Sequence, residues 1–207
     1  MNRFLALFFL FGPSTLFAPS QQAPEAPIRT HVPTLAGPLA PLFNGHDLGG
    51  FQIKMKPDSP GQESAFRVED GGLHFTGQGY GGLVTEKSYQ NYYLRAEFAW
   101  GESTFGARQK LTRKSGILIH VQGSKSVGFQ IGEGVTGGME LIGGPSVTAH
   151  GVHYTSGAEQ TTVIDRNEKE PVTDVTGFRS PTPDHEMERL HGHWNLLELI
   201  VDGGHVR

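Results

Sequence analysis

Residues 115–144 read SGILIHVQGSKSVGFQIGEGVTGGMELIGG, and this stretch decides the fold class. Ile117, Ile119 and Val121 alternate with Leu118, His120 and Gln122, a period of two that predicts a strand with His120 on the face opposite the β-branched residues. Phe129 and Ile131 alternate with Gln130 in the same way. Gly132-Glu133-Gly134 then breaks the strand, and its glycines permit a bulge or the close approach of a ligand. The polar residues His120, Gln122, Gln130, Glu133 and Glu140 recur at spacings that bring several of them to one sheet face. If the chain does chemistry, this is where the residues for it are found.

The same short-strand pattern continues on both sides. Phe66-Arg67-Val68, Asp70-Gly71-Gly72 and Leu73-His74-Phe75 together predict a hairpin. Leu83-Val84-Thr85 is a further strand. Residues 91–100 form the clearest one: Tyr92, Leu94, Ala96, Phe98 and Trp100 share a face opposite Tyr93, Arg95 and Glu97. Residues 161–166 are another candidate. Residues 194–201 (WNLLELIV) are apolar on both faces and are expected to lie inside a sheet. Residues 167–189, charged and broken by Pro171, Pro181 and Pro183, are expected to be a surface excursion, and 101–114 a polar loop. The basic residues of that loop, Arg108, Lys110, Arg113 and Lys114, are expected to be mostly solvated. Many short strands separated by turn signals, with no helical period after residue 18, predict an all-β sandwich or jelly roll.

Composition agrees. The 207-residue chain carries 29 glycines, 13 prolines and only 18% charged residues, which suits a domain rich in tight turns. A formal net charge of -4 argues against nucleic-acid binding through a basic patch. The absence of cysteine excludes disulfides, thiolate nucleophiles and Cys-ligated zinc. At the N-terminus, Arg3 precedes an apolar run over residues 4–11 that Pro13 interrupts. This is too short for a bilayer-spanning helix of about 20 residues and fits a secretory leader over residues 1–18. The protein is therefore expected to be exported, to the periplasm or beyond, with no stable membrane insertion once the leader is cut. Residues 19–41, rich in Pro and Ala, are expected to be a linker. The domain then spans 42–207, opening at Leu42-Phe43 and the turn Asn44-Gly45-His46-Asp47.

In order and spacing these pieces resemble the 3-keto-disaccharide hydrolase domain family, also described as 3-keto-glucoside lyases and hydratases. The resemblance is carried by residues 42–48 with Phe51 at a frequent Trp position, and by Phe66-Arg67-Val68-Glu69-Asp70-Gly71. It continues through residues 83–87 with Tyr89, Leu94-Arg95-Ala96-Glu97-Phe98 and Trp100-Gly101-Glu102. Ser115 through His120, Gln130 through Gly144, and Gly192-His193-Trp194-Asn195 with Glu198 complete it. Gly128 stands where a Glu is frequent in the family. The resemblance implies a concanavalin A-like sandwich of two curved antiparallel sheets with a sugar cleft on the concave face. It also implies further strands after 194–201, so the expectation is of a partial sequence at the C-terminus.

A 3-keto sugar has an acidic hydrogen at C2. A base that removes it makes an enolate that expels the C1 substituent, and water then adds to the product. Such a site needs a base near C2, a donor near the C3 oxygen and an acid near the departing oxygen. Glu133 and His120 are the candidates for proton transfer, and Gln130 the candidate for holding a sugar or enolate oxygen. Glu140, Trp100 and Arg108 complete the expected substrate contacts, although aromatic residues on strands are more often core. His150 with His153, and His191 with His193, raise the question of a metal but lack the spacing to a third ligand. No metal and no cofactor is expected. The partner is a carbohydrate, and the expected activity is cleavage of 3-keto-glycosides by elimination and hydration. The alternative is a non-catalytic sugar-binding module of the same fold. A conventional glucanase ranks below both, because no strand carries alternating carboxylates.

Overall fold

The structure is a computed structural model. It describes residues 37–59, 65–102, 104, 109, 113–133, 136–149, 152–164, 188–189 and 191–206, together with the backbone of 4–10 and 172–173. Arg108, His150, residues 19–36 of the expected linker and residues 174–187 of the expected excursion lie outside the described residues.

The strands in chain order are β1 (Phe4–Leu10), β2 (Phe51–Met55), β3 (Phe66–Glu69), β4 (Gly72–Phe75), β5 (Gly81–Ser88), β6 (Asn91–Phe98) and β7 (Lys114–Gln122). They continue with β8 (Lys125–Gly132), β9 (Met139–Ile142), β10 (Ser146–Ala149), β11 (Val152–Thr155), β12 (Thr161–Ile164), β13 (Val172–Thr173), β14 (Asn195–Asp202) and β15 (His205–Val206). No helix occurs among the described residues. The larger sheet runs β13-β12-β9-β8-β7-β1-β5-β2, and a smaller one runs β15-β14-β6. The pairing is antiparallel throughout, and β3–β4 and β10–β11 are separate hairpins. The fold is the all-β jelly-roll sandwich that the strand pattern predicts.

Alternation explains how the two sheets meet. On β6, Tyr92, Leu94, Ala96 and Phe98 pair in register with Val201, Leu199, Leu197 and Asn195 of β14. The apolar residues of that set pack with Ile117 and Ile119 of β7, Val127 and Ile131 of β8, Leu141 of β9 and Ile164 of β12 in a single buried cluster. Ile117, Ile119 and Leu141 are fully buried. β14 lies between β6 and β15, as its two apolar faces predict. The β3–β4 hairpin turns at Asp70 and Gly71, both in the left-handed region at φ 50° and 75°, which is the two-residue turn that matches strand twist.

Two departures from simple alternation matter. β7 carries a bulge between Ile119 and Gln122, and His120 sits in it at φ 54°. An added residue re-aims side chains locally, so a strict period of two no longer sets the direction of His120. The backbone of β1, which the sequence marks as the apolar part of a leader, lies between β5 and β7 and pairs with both.

Two measurements test this architecture. Ile117→Ala removes a fully buried side chain from the middle of the cluster and is expected to cost about 2–5 kcal/mol in denaturant unfolding. A chain lacking residues 1–36 loses the strand that bonds β5 and β7. Hydrogen exchange at the amides of Leu83 and Ile117 is therefore expected to be faster in it than in the whole chain.

Candidate functional site

Arg113 and Lys114, at the start of β7, are consecutive cations, and each answers a different carboxylate. Arg113 is only 8% exposed, against the expectation of a solvated loop residue. Its Nη1 donates to Glu133 Oε1 at 3.1 Å and Oε2 at 3.2 Å, and its Nη2 donates to the Glu102 carbonyl at 2.5 Å. The backbones are joined as well: Glu133 N–H donates to Arg113 O at 3.0 Å, and Arg113 N–H to Glu133 Oε2 at 3.1 Å. The two terminal nitrogens of this buried guanidinium are thus met, while its Nε is buried with no hydrogen-bond partner among the described residues, so the charge is held by Glu133 and Glu102 alone.

Glu133 also accepts a hydrogen bond from His191 Nε2. Burial pushes the Glu133 carboxyl up, but the Arg113 N–H, the His191 ring and the Arg113 guanidinium together hold it below its ordinary value. Two further bonds bring His191 there. Trp100 Nε1 donates to Glu188 Oε2 at 2.7 Å, and Gly192 N–H donates to Trp100 O at 3.2 Å. Gly192 takes φ 78°, a conformation that a residue with a side chain rarely adopts. Glu188 is itself fixed by the Thr136 N–H at 3.2 Å and by its hydroxyl.

Lys114 serves the outer face of the larger sheet. Its Nζ pairs with Glu140 Oε1, and Gln130 Nε2 donates to the same oxygen at 2.6 Å. Lys114 lies opposite Gly132, and Glu140 opposite Gly128. No side chain at 132 blocks the lysine as it crosses β8 to reach β9. Position 128 has no room for one, since a Cβ there would meet Leu118 Cδ2 at 2.7 Å and Glu140 Cβ at 3.4 Å. The space over Gly128 is thus filled by the side chains of Leu118 and Glu140.

The structure keeps some expected site residues together and separates others. Gln130 and Glu140 are in contact, but Gln130 is 4% exposed and lies behind Glu140, so it positions that carboxylate and is not open to a sugar. Glu133 stands at the end of the same hairpin. His120 is half-buried at the far end of β7, seven residues from Arg113, which at strand rise is about 20 Å away. The expected pair of Glu133 and His120 cannot act on one carbon atom. Trp100 is 2% exposed and packs edge-on against Phe98 in the core, so neither of its faces is open for stacking on a sugar. Trp194 is the exposed tryptophan, at 52%. Among the described residues no group of three or more His, Asp or Glu side chains could hold a metal ion. No helix among them is long and apolar enough to cross a membrane.

Sequence reasoning did not foresee that Arg113 and His191 meet Glu133, or that Lys114 meets Glu140. The available signal was the Arg-Lys pair immediately before a strand, since one of two consecutive cations there must turn inward.

The class defined by fold and site is a β-sandwich whose larger sheet carries two cation–carboxylate pairs at the open end of the β7–β8 hairpin. The chain belongs to the family of the 3-keto-alpha-glucoside-1,2-lyase-like domain, whose model matches residues 38–207. Comparison with curated proteins and with solved structures returned no significant match.

The Arg113–Glu133 pair gives a pH test. With its folded pKa lowered, Glu133 contributes stability that is present above the ordinary carboxyl value of 4.5 and lost as pH falls through the lower folded value. The melting temperature of Glu133→Gln is expected to lie below that of the unmodified chain at pH 7. The gap is expected to close between about pH 5 and pH 2. A gap that stays constant across this range contradicts the assignment.

Proposed function

We propose that the domain is an exported carbohydrate-active enzyme that cleaves 3-keto-glycosides by taking the proton alpha to the ketone and eliminating the C1 substituent. The observation that carries this reading is the Lys114–Glu140 pair, with Gln130 on the same carboxylate oxygen. Both donors take Oε1, and Oε2 lies toward the Gly128 backbone. Glu140 is the base for the C2 hydrogen. Lys114 is the cation that turns to the C3 oxygen as the enolate charge develops, the point at which a fixed charge lowers a barrier most. Gln130 holds Glu140 in one rotamer while Lys114 moves. The family description supports the substrate class. The leader-like residues 1–18, with Arg3 ahead of the apolar run, support export to the periplasm or the medium.

The test is aglycone release from a 3-keto-glucoside. Glu140→Gln and Lys114→Met are each expected to lower kcat/KM by about 10²–10⁴. His120→Ala, remote from both, is expected to stay within about threefold of the unmodified rate. An unmodified chain that binds the sugar and never releases the aglycone overturns the enzyme reading in favour of a sugar-binding module.

A further inference from the structure

We propose that the C1 substituent of the substrate is an apolar aglycone, and that Val163, Ile142 and Thr161 form the surface that receives it. The proposal rests on the elimination reading above, because Glu140 at C2 and Lys114 at the C3 oxygen fix which way the sugar lies.

Register places the three residues beside Glu140 and on its face. Leu141 of β9 and Ile164 of β12 belong to the buried cluster between the sheets. Glu140, Ile142, Thr161 and Val163 therefore stand on the opposite face of the larger sheet. Val163 is the direct cross-strand partner of Glu140, and Thr161 that of Ile142. Residues paired in this way have Cβ atoms about 5 Å apart, near enough to touch one bound molecule. Val163, Ile142 and Thr161 are all half-buried, so part of each is open. On β13, Val172 continues the row as the partner of Val163.

The polar groups and the apolar ones lie on opposite sides of the carboxylate. Lys114 and Gln130 both meet Oε1, and the lysine comes from β7, at the open end of the β7–β8 hairpin. On the β8 side, the space over Gly128 is taken by the side chains of Leu118 and Glu140. β12 borders β9 on its other flank. Along β9, the step from Glu140 to Ile142 leads away from the end where Lys114 stands. The pairing shows this: Lys114 lies opposite Gly132 of β8, Glu140 opposite Gly128 and Ile142 opposite Ser126.

Consecutive ring carbons then decide the orientation. With the C3 oxygen at Lys114 and the C2 hydrogen at Glu140, C1 follows on the side away from Lys114. Its substituent is carried out over Val163 and Ile142. A second sugar there would set several hydroxyl groups against two branched aliphatic side chains, with Thr161 as the one open side-chain hydroxyl among these residues; Ser126, across from Ile142, is buried. Polar groups covered without partners cost free energy, whereas a hydrocarbon gains by leaving water.

The test compares methyl and hexyl 3-keto-glucosides, whose alcohols are near-equal leaving groups and differ in the apolar surface they bring. In the unmodified chain, kcat/KM for release of hexanol is expected to exceed that for methanol by about tenfold. A 3-keto-disaccharide is expected to be cleaved no faster than the methyl glycoside. Val163→Thr, which keeps the shape of the side chain, and Ile142→Thr are each expected to lower the hexyl-to-methyl ratio by about threefold. Both rates are taken on one preparation, so a partly folded variant does not alter the ratio. Equal rates for the two alkyl glycosides overturn the proposal and leave the elimination reading standing. Faster cleavage of the disaccharide also overturns it, in favour of a second sugar at this surface. A ratio unchanged in both variants overturns the placement at Val163 and Ile142. If the unmodified chain cleaves none of the three substrates, the elimination reading fails, and this proposal fails with it.

Discussion

The Arg113 guanidinium is the constraint on which the open end of the sandwich depends. A cation this buried must be met by several acceptors, and those acceptors come from distant parts of the chain: Glu102 from the loop after β6 and Glu133 from the end of β8. Satisfying one charge therefore fixes the start of β7, the end of β8 and the 102 loop relative to one another. Leaving that charge without its carboxylate would cost about 3–5 kcal/mol. Geometry here is dictated by electrostatics, whereas in the middle of the sheets it is dictated by alternation and apolar packing.

That division explains what was legible in the sequence. The strand set, the β3–β4 hairpin, the interior position of β14 and the apolar face of β6 all follow from a period of two and from turn residues, which are local properties. The site is mostly non-local. The partner of Glu133 at the chain's far end, His191, is 58 residues away, and Trp100 meets Glu188 across 88. No periodicity reports such contacts. Arg113 reads as one more basic residue of a polar loop until the carboxylate facing it is known. His120 illustrates a different failure. Alternation assigns it a face, but the bulge at φ 54° resets the alternation at that residue. Trp100 was legible as core from its place in the apolar series of β6, and that reading competed with the general affinity of tryptophan for sugar rings.

Glycine contributes to the site through what it leaves out. At 116 a Cβ would lie 2.9 Å from the Phe129 carbonyl oxygen, a backbone atom that cannot move aside without breaking the β7–β8 ladder. At 138 it would lie 2.9 Å from Gln130 Oε1, the amide that orients Glu140. Beside Glu140 the missing side chains at 128 and 138 make room for those of Leu118 and Gln130.

The consecutive placement of Arg113 and Lys114 joins these two environments. Successive residues of a strand point to opposite faces, so a single dipeptide sends one cation inward to Glu133 and the other outward to Glu140. Because the period is two, a register slip of one residue would exchange them. The guanidinium would then reach the face of Glu140 and Gln130, and the ammonium would enter a setting that needs a planar, multidentate donor. Arginine in the enclosed position can meet both Glu133 oxygens and the Glu102 carbonyl at once, while lysine on the other face needs only the single oxygen of Glu140. The order Arg-Lys is therefore the one that places the multidentate cation in the enclosed setting of Glu133 and the point charge on the opposite face with Glu140.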